Sequence, residues 1–252
     1  MTESNPKAIP CDLSVNKFNL SDSTELEDPR LYRKMVGSLI YIMIGTRPDL
    51  SYAVTKLSQS MSKPTKAHLS LAKHVLKYIK GTLNYCLTFK KSDVPLKLIG
   101  YCDSDWGTSE DRRSITGYGF QLSEQGPLIS WKSKKQKVVA LSTCEAEYMA
   151  MTCAVQEANF LRQLYSDVTN SEKESVILHV DNKGAIELAK NPVYHQRSKH
   201  IDIRYHFIRE QVERNIVDLI YVPSDENIAD IFTKPASKQK LTKFSFIRGN
   251  VI

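Results

Sequence analysis

The sequence predicts an α/β fold: a mixed five-stranded sheet with helices on both faces, preceded by a small helical segment. Three observations predict it. After residue 96, apolar runs of strand length alternate with stretches of helical period. The first three runs follow one another across short turns, as an antiparallel meander requires. The later two are each reached through a helix, which places helices against the sheet. At 252 residues and 41% hydrophobic the chain can bury a core and form one or two domains.

Residues 1–29 are polar, with Pro6, Pro10 and a Ser21-Asp22-Ser23-Thr24-Glu25 cluster, and read as an extended lead-in. Residues 30–92 read as three helices. Leu31, Met35, Leu39 and Met43 recur along the first. Pro48 sits where a first helical turn tolerates proline, and Leu50, Val54, Leu57 and Met61 continue at helical spacing. Pro64 opens a third segment, Leu69 to Ile79, with Ala72, Val75, Leu76 and Ile79 on one face and Lys73, Lys77 and Lys80 exposed; Gly81 stops it.

Residues 96–236 carry the sheet. Leu98–Asp103, Gly117–Leu122 and Leu128–Trp131 read as strands, the last two joined through Glu124-Gln125-Gly126-Pro127. A basic stretch follows, with Lys132, Lys134, Lys135 and Lys137. Ser142 or Thr143 then caps a long helix that runs to about Tyr165 and carries Glu145 and Glu147. Ser175–Val180 is a strand ending at Asp181, Gly184–Ala189 a short helix, and Ile201, Tyr205, Ile208 and Val212 mark another. Val217–Val222 is the last strand, and Glu226–Thr233 a helix with Asp230 on it. Residues 237–252 form a tail.

A net charge of +7 leans toward a polyanionic partner. Five cysteines without a CxxC pair argue against a disulfide framework or zinc site and for a reducing, intracellular setting, cytoplasm or nucleus. The N-terminal residues hold no apolar signal core. The longest apolar run, Leu39 to Ile44, is far short of the ~20 residues a spanning helix needs, so no membrane association is expected.

Candidate chemistry gathers on acids. In Leu98-Ile99-Gly100-Tyr101-Cys102-Asp103-Ser104-Asp105-Trp106 an apolar run ends in two carboxylates, where open α/β sheets hold their sites. Glu147 lies early in the long helix, Asp181 ends the fourth strand and Asp230 sits in the last helix. Four acids at such places suit divalent ions, magnesium or manganese. Two ions about 4 Å apart can activate water and stabilise the leaving oxygen of a phosphodiester. Each acid alone also has a plain structural reading: Glu147 as an acid favoured at a helix N-terminus, Asp230 as a solvated helix residue. Lys134 and Lys135 are candidate phosphate contacts, as are Arg197, Lys199 and His200, which interleave with Tyr194 and Tyr205. Ser142 and Thr143 read as caps or as sensors of a ribose 2′-hydroxyl, and Trp106 and Trp131 as packing residues.

Several blocks carry a family resemblance. Val36-Gly37-Ser38-Leu39-Ile40-Tyr41, Thr46-Arg47-Pro48-Asp49, Lys80-Gly81-Thr82, Ser130-Trp131-Lys132-Ser133-Lys134-Lys135-Gln136, Glu145-Ala146-Glu147-Tyr148, Lys199-His200-Ile201-Asp202 and Ala229-Asp230-Ile231-Phe232-Thr233-Lys234 resemble, in this order, the C-terminal part of copia-type retrotransposon Pol polyproteins. The resemblance runs from about Ala8 onward. It implies that residues 30–92 are the end of a reverse transcriptase and residues 96–236 a type I ribonuclease H domain. It further implies that Asp103, Glu147, Asp181 and Asp230 are the metal-binding acids, in preference to Asp105 and Glu145. The implied substrate is an RNA–DNA hybrid, and the implied partner the rest of the reverse transcriptase. A Tyr-x-Asp-Asp motif is absent, so no polymerase activity is expected, and no histidine precedes Asp230 in Tyr221–Asn227. The rival readings are a catalytically silent transposon relic, a co-opted nucleic-acid-binding module, and a metal-dependent DNA nuclease or integrase on the same fold.

Overall fold

The computed structural model describes residues 4–12, 23–91, 96–107, 111–124, 126–190, 199–243 and 248–249. In chain order its elements are α1 (Arg30–Gly45), α2 (Ser51–Ser58), α3 (Lys66–Gly81), β1 (Tyr85–Cys86), β2 (Ile99–Asp105), β3 (Ile115–Gln121), β4 (Leu128–Lys135), α4 (Thr143–Thr169), β5 (Val176–Val180), α5 (Lys183–Lys190), α6 (Lys199–Glu213), β6 (Val217–Tyr221), α7 (Asp230–Thr233), α8 (Lys238–Lys243) and β7 (Arg248–Gly249). They fall into two compact units, Met1–Phe89 with Lys234–Ile252, and Lys90–Thr233.

In the first unit the three expected helices form, but α1 buries a different face. Tyr32, Val36 and Leu39 are inside, whereas Leu31 is 58% exposed. A strict four-residue step drifts by about 40° per step around a helix of 3.6 residues per turn, so the Leu31-to-Met43 series spirals off any one face. The i, i+4, i+7 set stays on it. Tyr32 Oη–H donates to the Leu57 carbonyl at 2.7 Å and ties α1 to α2. The helix α3 starts earlier than Leu69 because Thr65 caps it, its hydroxyl accepting the His68 N–H. Arg47 and Asp49 form a buried ion pair at 2.7 Å; the guanidinium also donates to the Thr82 hydroxyl, and Tyr78 donates to Asp49. Two of the sequence blocks, Thr46–Asp49 and Lys80–Thr82, thus meet in one satisfied network, the condition under which a buried ion pair is tolerated.

In the second unit the sheet order is β4-β3-β2-β5-β6. β2, β3 and β4 are the antiparallel meander, while β5 lies parallel to β2, and β6 parallel to β5. One face packs on α4: Cys102, Tyr118, Phe120, Leu178 and Val180 share a core with Tyr148, Met151, Ala154, Val155 and Ala158. The opposite face carries α7. There β3 presents Gly117 and Gly119, and a Cβ would come within 2.7 Å of Thr233 at the first and 2.9 Å of the Phe232 ring at the second. Only glycine lets that short helix lie this close.

Several boundaries move; β3 starts at Ile115 and α4 runs on to Thr169. β2 continues to Asp105, and β4 continues through the lysines to Lys135 instead of stopping at Trp131. Lysines suit β4 because it is an edge strand, where charge discourages further pairing. The last helix is one turn, Asp230–Thr233, because residues 223–229 make turns, with Asn227 N–H bonded to Pro223 O at 3.0 Å. Among the described residues no helix is long and apolar enough to cross a membrane.

Candidate metal centre

Parallel pairing of β2 and β5 puts Cys102 beside Val180, so the residues that follow, Asp103 within β2 and Asp181 just past the end of β5, lie side by side. From the facing helix α4, Glu147 completes a cluster in which one ligand oxygen from each of Asp103, Glu147 and Asp181 lies within 4.8 Å of the others. Asp103 and Glu147 are 2% and 6% exposed, and Asp181 is half-buried. The Cys102 thiol registers this field. Burial foremost, then the charges of Glu147, Asp181 and Asp103, push its pKa well above the usual range.

Asp103 and Glu147 are held by neighbours. The Ser104 N–H donates to Glu147 Oε1 at 3.1 Å, and Thr233 Oγ1–H donates to the Asp103 carboxylate. The Thr233 hydroxyl also lies 3.1 Å from the Asp230 carbonyl, linking β2 to α7. Asn227, fully buried, donates from Nδ2 to Cys102 O at 2.8 Å and accepts the Ala229 N–H at 3.0 Å. Gln136 donates from Nε2 to Ser104 Oγ (3.3 Å), Thr116 Oγ1 (3.1 Å) and Ala146 O (3.0 Å), joining β2, β3 and α4 beneath the cluster.

The cluster separates Glu147 from Glu145. Glu145 works at the helix start: its N–H bonds Ser142 Oγ at 3.2 Å and its carboxylate accepts the Leu141 N–H at 2.8 Å. Glu147 instead faces the two aspartates. Asp230 is buried as the first residue of α7 but is not one of the three converging acids. The donor set fits a hard divalent cation. It is all oxygen, which suits magnesium, calcium or manganese, and carboxylates this crowded favour a counter-ion between them.

No family model matches the chain. It is 44% identical over 215 residues to the retrovirus-related Pol polyprotein from transposon TNT 1-94 of Nicotiana tabacum, a match covering 84% of this chain and 16% of that protein. It is 41% identical over 230 residues to the Pol polyprotein from transposon RE1 of Arabidopsis thaliana, covering 91% and 15%. The chain is a homologue of the Pol polyproteins of copia-type transposons. This Pol homologue spans only 15–16% of the length of those two curated relatives. Among solved structures it is similar to LC11-RNase H1 in complex with an RNA/DNA hybrid, with TM-score 0.41, 16% identity, and coverage of 54% of this chain and 94% of that one.

The basic candidates are spread more widely in the Pol homologue than the acids. Lys132 and Lys134 are exposed on the edge strand β4, whereas Lys135 pairs with Asp111 at 2.8 Å. Ser142 is the cap of α4 and Thr143 its exposed first residue. Lys199 and His200 begin α6, but their side chains, and the whole of Arg197, lie outside the described residues. Trp106 is not a core residue: it is 47% exposed, because β2 runs two residues past Asp103 and carries it out of the sheet. Thr233, Gln136 and Asn227 escaped the sequence reading. Thr233 and Gln136 lie inside blocks of the family resemblance; Asn227 had no signal beyond lying in the turn before Asp230.

Proposed function

We propose that this Pol homologue is a ribonuclease H that hydrolyses the RNA strand of RNA–DNA hybrids with two magnesium ions, manganese serving in their place. The observation that carries the reading is the convergence of Asp103 and Asp181, from adjacent parallel strands, on Glu147 of the facing helix. Homology to transposon Pol polyproteins supports it. Asp103, Glu147 and Asp181 would hold the metal, with Asp230, buried at the start of α7, as the fourth acid. When bound, the ions supply a water of lowered pKa and charge stabilisation for the departing 3′ oxygen. The chain itself orients the ligands: Thr233 fixes the Asp103 carboxylate, the Ser104 N–H fixes that of Glu147, and Gln136 holds α4 to the sheet.

Lys134, exposed, would meet phosphate; Lys135 would do so by exchanging Asp111 for the substrate, and Arg197, Lys199 and His200 would add contacts. Thr143, exposed at the start of α4, is the better placed of the two hydroxyls to meet a ribose. Residues 30–92 would be the end of a reverse transcriptase, residues 96–236 the nuclease and 237–252 a tail. The partner would be the remaining reverse transcriptase, inside the cell. The test incubates the protein and magnesium with a hybrid labelled on either strand, a duplex DNA and a duplex RNA. Release from the RNA strand of the hybrid alone is expected. Cleavage of duplex DNA instead would favour the DNA-nuclease reading, and cleavage of nothing the silent relic.

A further inference from the structure

Beside the metal centre lies a surface that neither folding nor phosphodiester chemistry accounts for. Trp106 follows β2 three residues past Asp103, and Leu141 stands just before the cap of α4, six residues before Glu147. Trp106 is 47% exposed, Val138 39%, Val139 46% and Leu141 83%. Four large apolar side chains therefore face solvent along one short loop and the strand end it touches.

The frame beneath them is firmly anchored. Trp106 Nε1–H donates to Ala140 O at 3.0 Å, which ties the indole edge to the loop. The Leu141 N–H donates to the Glu145 carboxylate at 2.8 Å, and at the loop's start the Gln136 N–H donates to Ser114 O at 2.8 Å. Under the loop Ala140, Ala146 and Met149 form a small buried cluster. Apolar side chains held outward on an anchored loop contribute little to folding, and a contiguous group of them marks a contact surface.

Position selects the occupant. The Trp106–Ala140 bond joins the strand that carries Asp103 to the loop that leads into the helix carrying Glu147. Three residues of strand span about 10 Å, roughly three nucleotide steps at about 3.4 Å each. A strand whose phosphate sat at the carboxylates would lay neighbouring sugars and bases over this rim. In a hybrid the bases stack on one another, so such a rim meets the carbon faces of the sugars and the base edges of the shallow minor groove, whereas phosphates are not attracted to it.

We infer that Trp106, with Leu141 and Val139 beside it, is a substrate-positioning platform that packs against the sugars and bases flanking the scissile phosphate; this rests on the nuclease reading above. The platform sets how tightly the hybrid seats, while the carboxylates perform the chemistry.

The test uses the full chain carrying Trp131→Phe, which leaves Trp106 as its one tryptophan of the two. A short RNA–DNA hybrid is titrated in EDTA at fixed salt. Trp106 emission should be quenched on binding. Trp106→Ala should weaken binding about tenfold, the lower end of the scale for one large apolar side chain no longer buried, while Trp106→Phe retains most of the affinity. Leu141→Ser, at a position too exposed to affect folding, should weaken it by about threefold. In magnesium the Trp106→Ala loss should appear in KM, with kcat within about twofold of the parent. Hybrid binding that leaves Trp106 emission and the affinities of both variants unchanged overturns the platform and leaves the nuclease reading standing. No hybrid binding by the parent protein overturns both.

Discussion

Asp181→Asn should make the metal-free protein more stable and cost it the stabilisation that metal provides. In the native state the ligand oxygens of Asp103, Glu147 and Asp181 lie within 4.8 Å of one another. At an effective dielectric of about 20, two unit charges at that separation repel by about 3.5 kcal/mol. Asp181 is the half-buried member, so solvent screens much of its share. Relief from both neighbours should then be worth about 1–2 kcal/mol, a rise in Tm of roughly 3–6 °C for a protein of this size. With magnesium at about 100 times its Kd, the wild-type protein should gain about 2.7 kcal/mol, and the variant much less. The order of the two melting temperatures should therefore reverse between EDTA and magnesium. Melting curves under both conditions read this directly. Equal gains from magnesium in the two proteins, or a variant that melts below wild type in EDTA, would refute the reasoning.

Two further outcomes follow from neighbouring contacts. Gln136→Leu removes three hydrogen bonds, at 3.3, 3.1 and 3.0 Å, from a residue 7% exposed. The loss should be about 2–3 kcal/mol in urea unfolding, and calorimetric magnesium titration should show weaker binding because Ser104, which orients Glu147, is no longer held. His179 stacks on Tyr101 with ring centroids 4.7 Å apart, and burial lowers its pKa below the usual 6.5, opposed in part by Glu124. The unfolded chain takes up this proton first as pH falls, so the neutral ring's contribution is complete above 6.5 and fades on acidification below it. His179→Phe should shrink the drop in Tm between about pH 7.5 and 5.5; an unchanged drop would mean that other groups set the acid limit.

The order of elements was legible because each has a local cause: proline and threonine at helix starts, glycine at ends, and apolar runs bounded by turns. The convergence of Asp103 and Asp181 was legible for the same reason, since both follow apolar runs and β5 pairs with β2 in parallel. What failed was what depends on distant partners. Lys132, Lys134 and Lys135 looked like a loop because lysine breaks an apolar run, yet an edge strand accommodates them. On α1 the leucines and methionines share only Leu39 with the buried face, because Tyr32 is buried through a bond to Leu57 that no local pattern announces. Glu145 and Glu147 are told apart in the sequence only by the family resemblance, and the bonds to Ser142 and from Leu141 assign the first to the helix start. Gln136, Asn227 and Thr233 act across 32, 125 and 130 residues of chain, beyond the reach of periodicity.

The account stands most directly on whether the converging carboxylates drive hybrid cleavage through bound metal. The decisive measurement is RNA release from an RNA–DNA hybrid as magnesium is raised, for the wild-type protein and for Glu147→Gln. That variant keeps the side chain's shape and its acceptor for the Ser104 N–H while removing its charge. Wild type should cleave in a saturable, magnesium-dependent manner, and the variant should bind the hybrid yet fall at least about 100-fold in rate, the scale of losing a principal charge-stabilising group. Cleavage by Glu147→Gln at the wild-type rate, with the same dependence on magnesium, would contradict it.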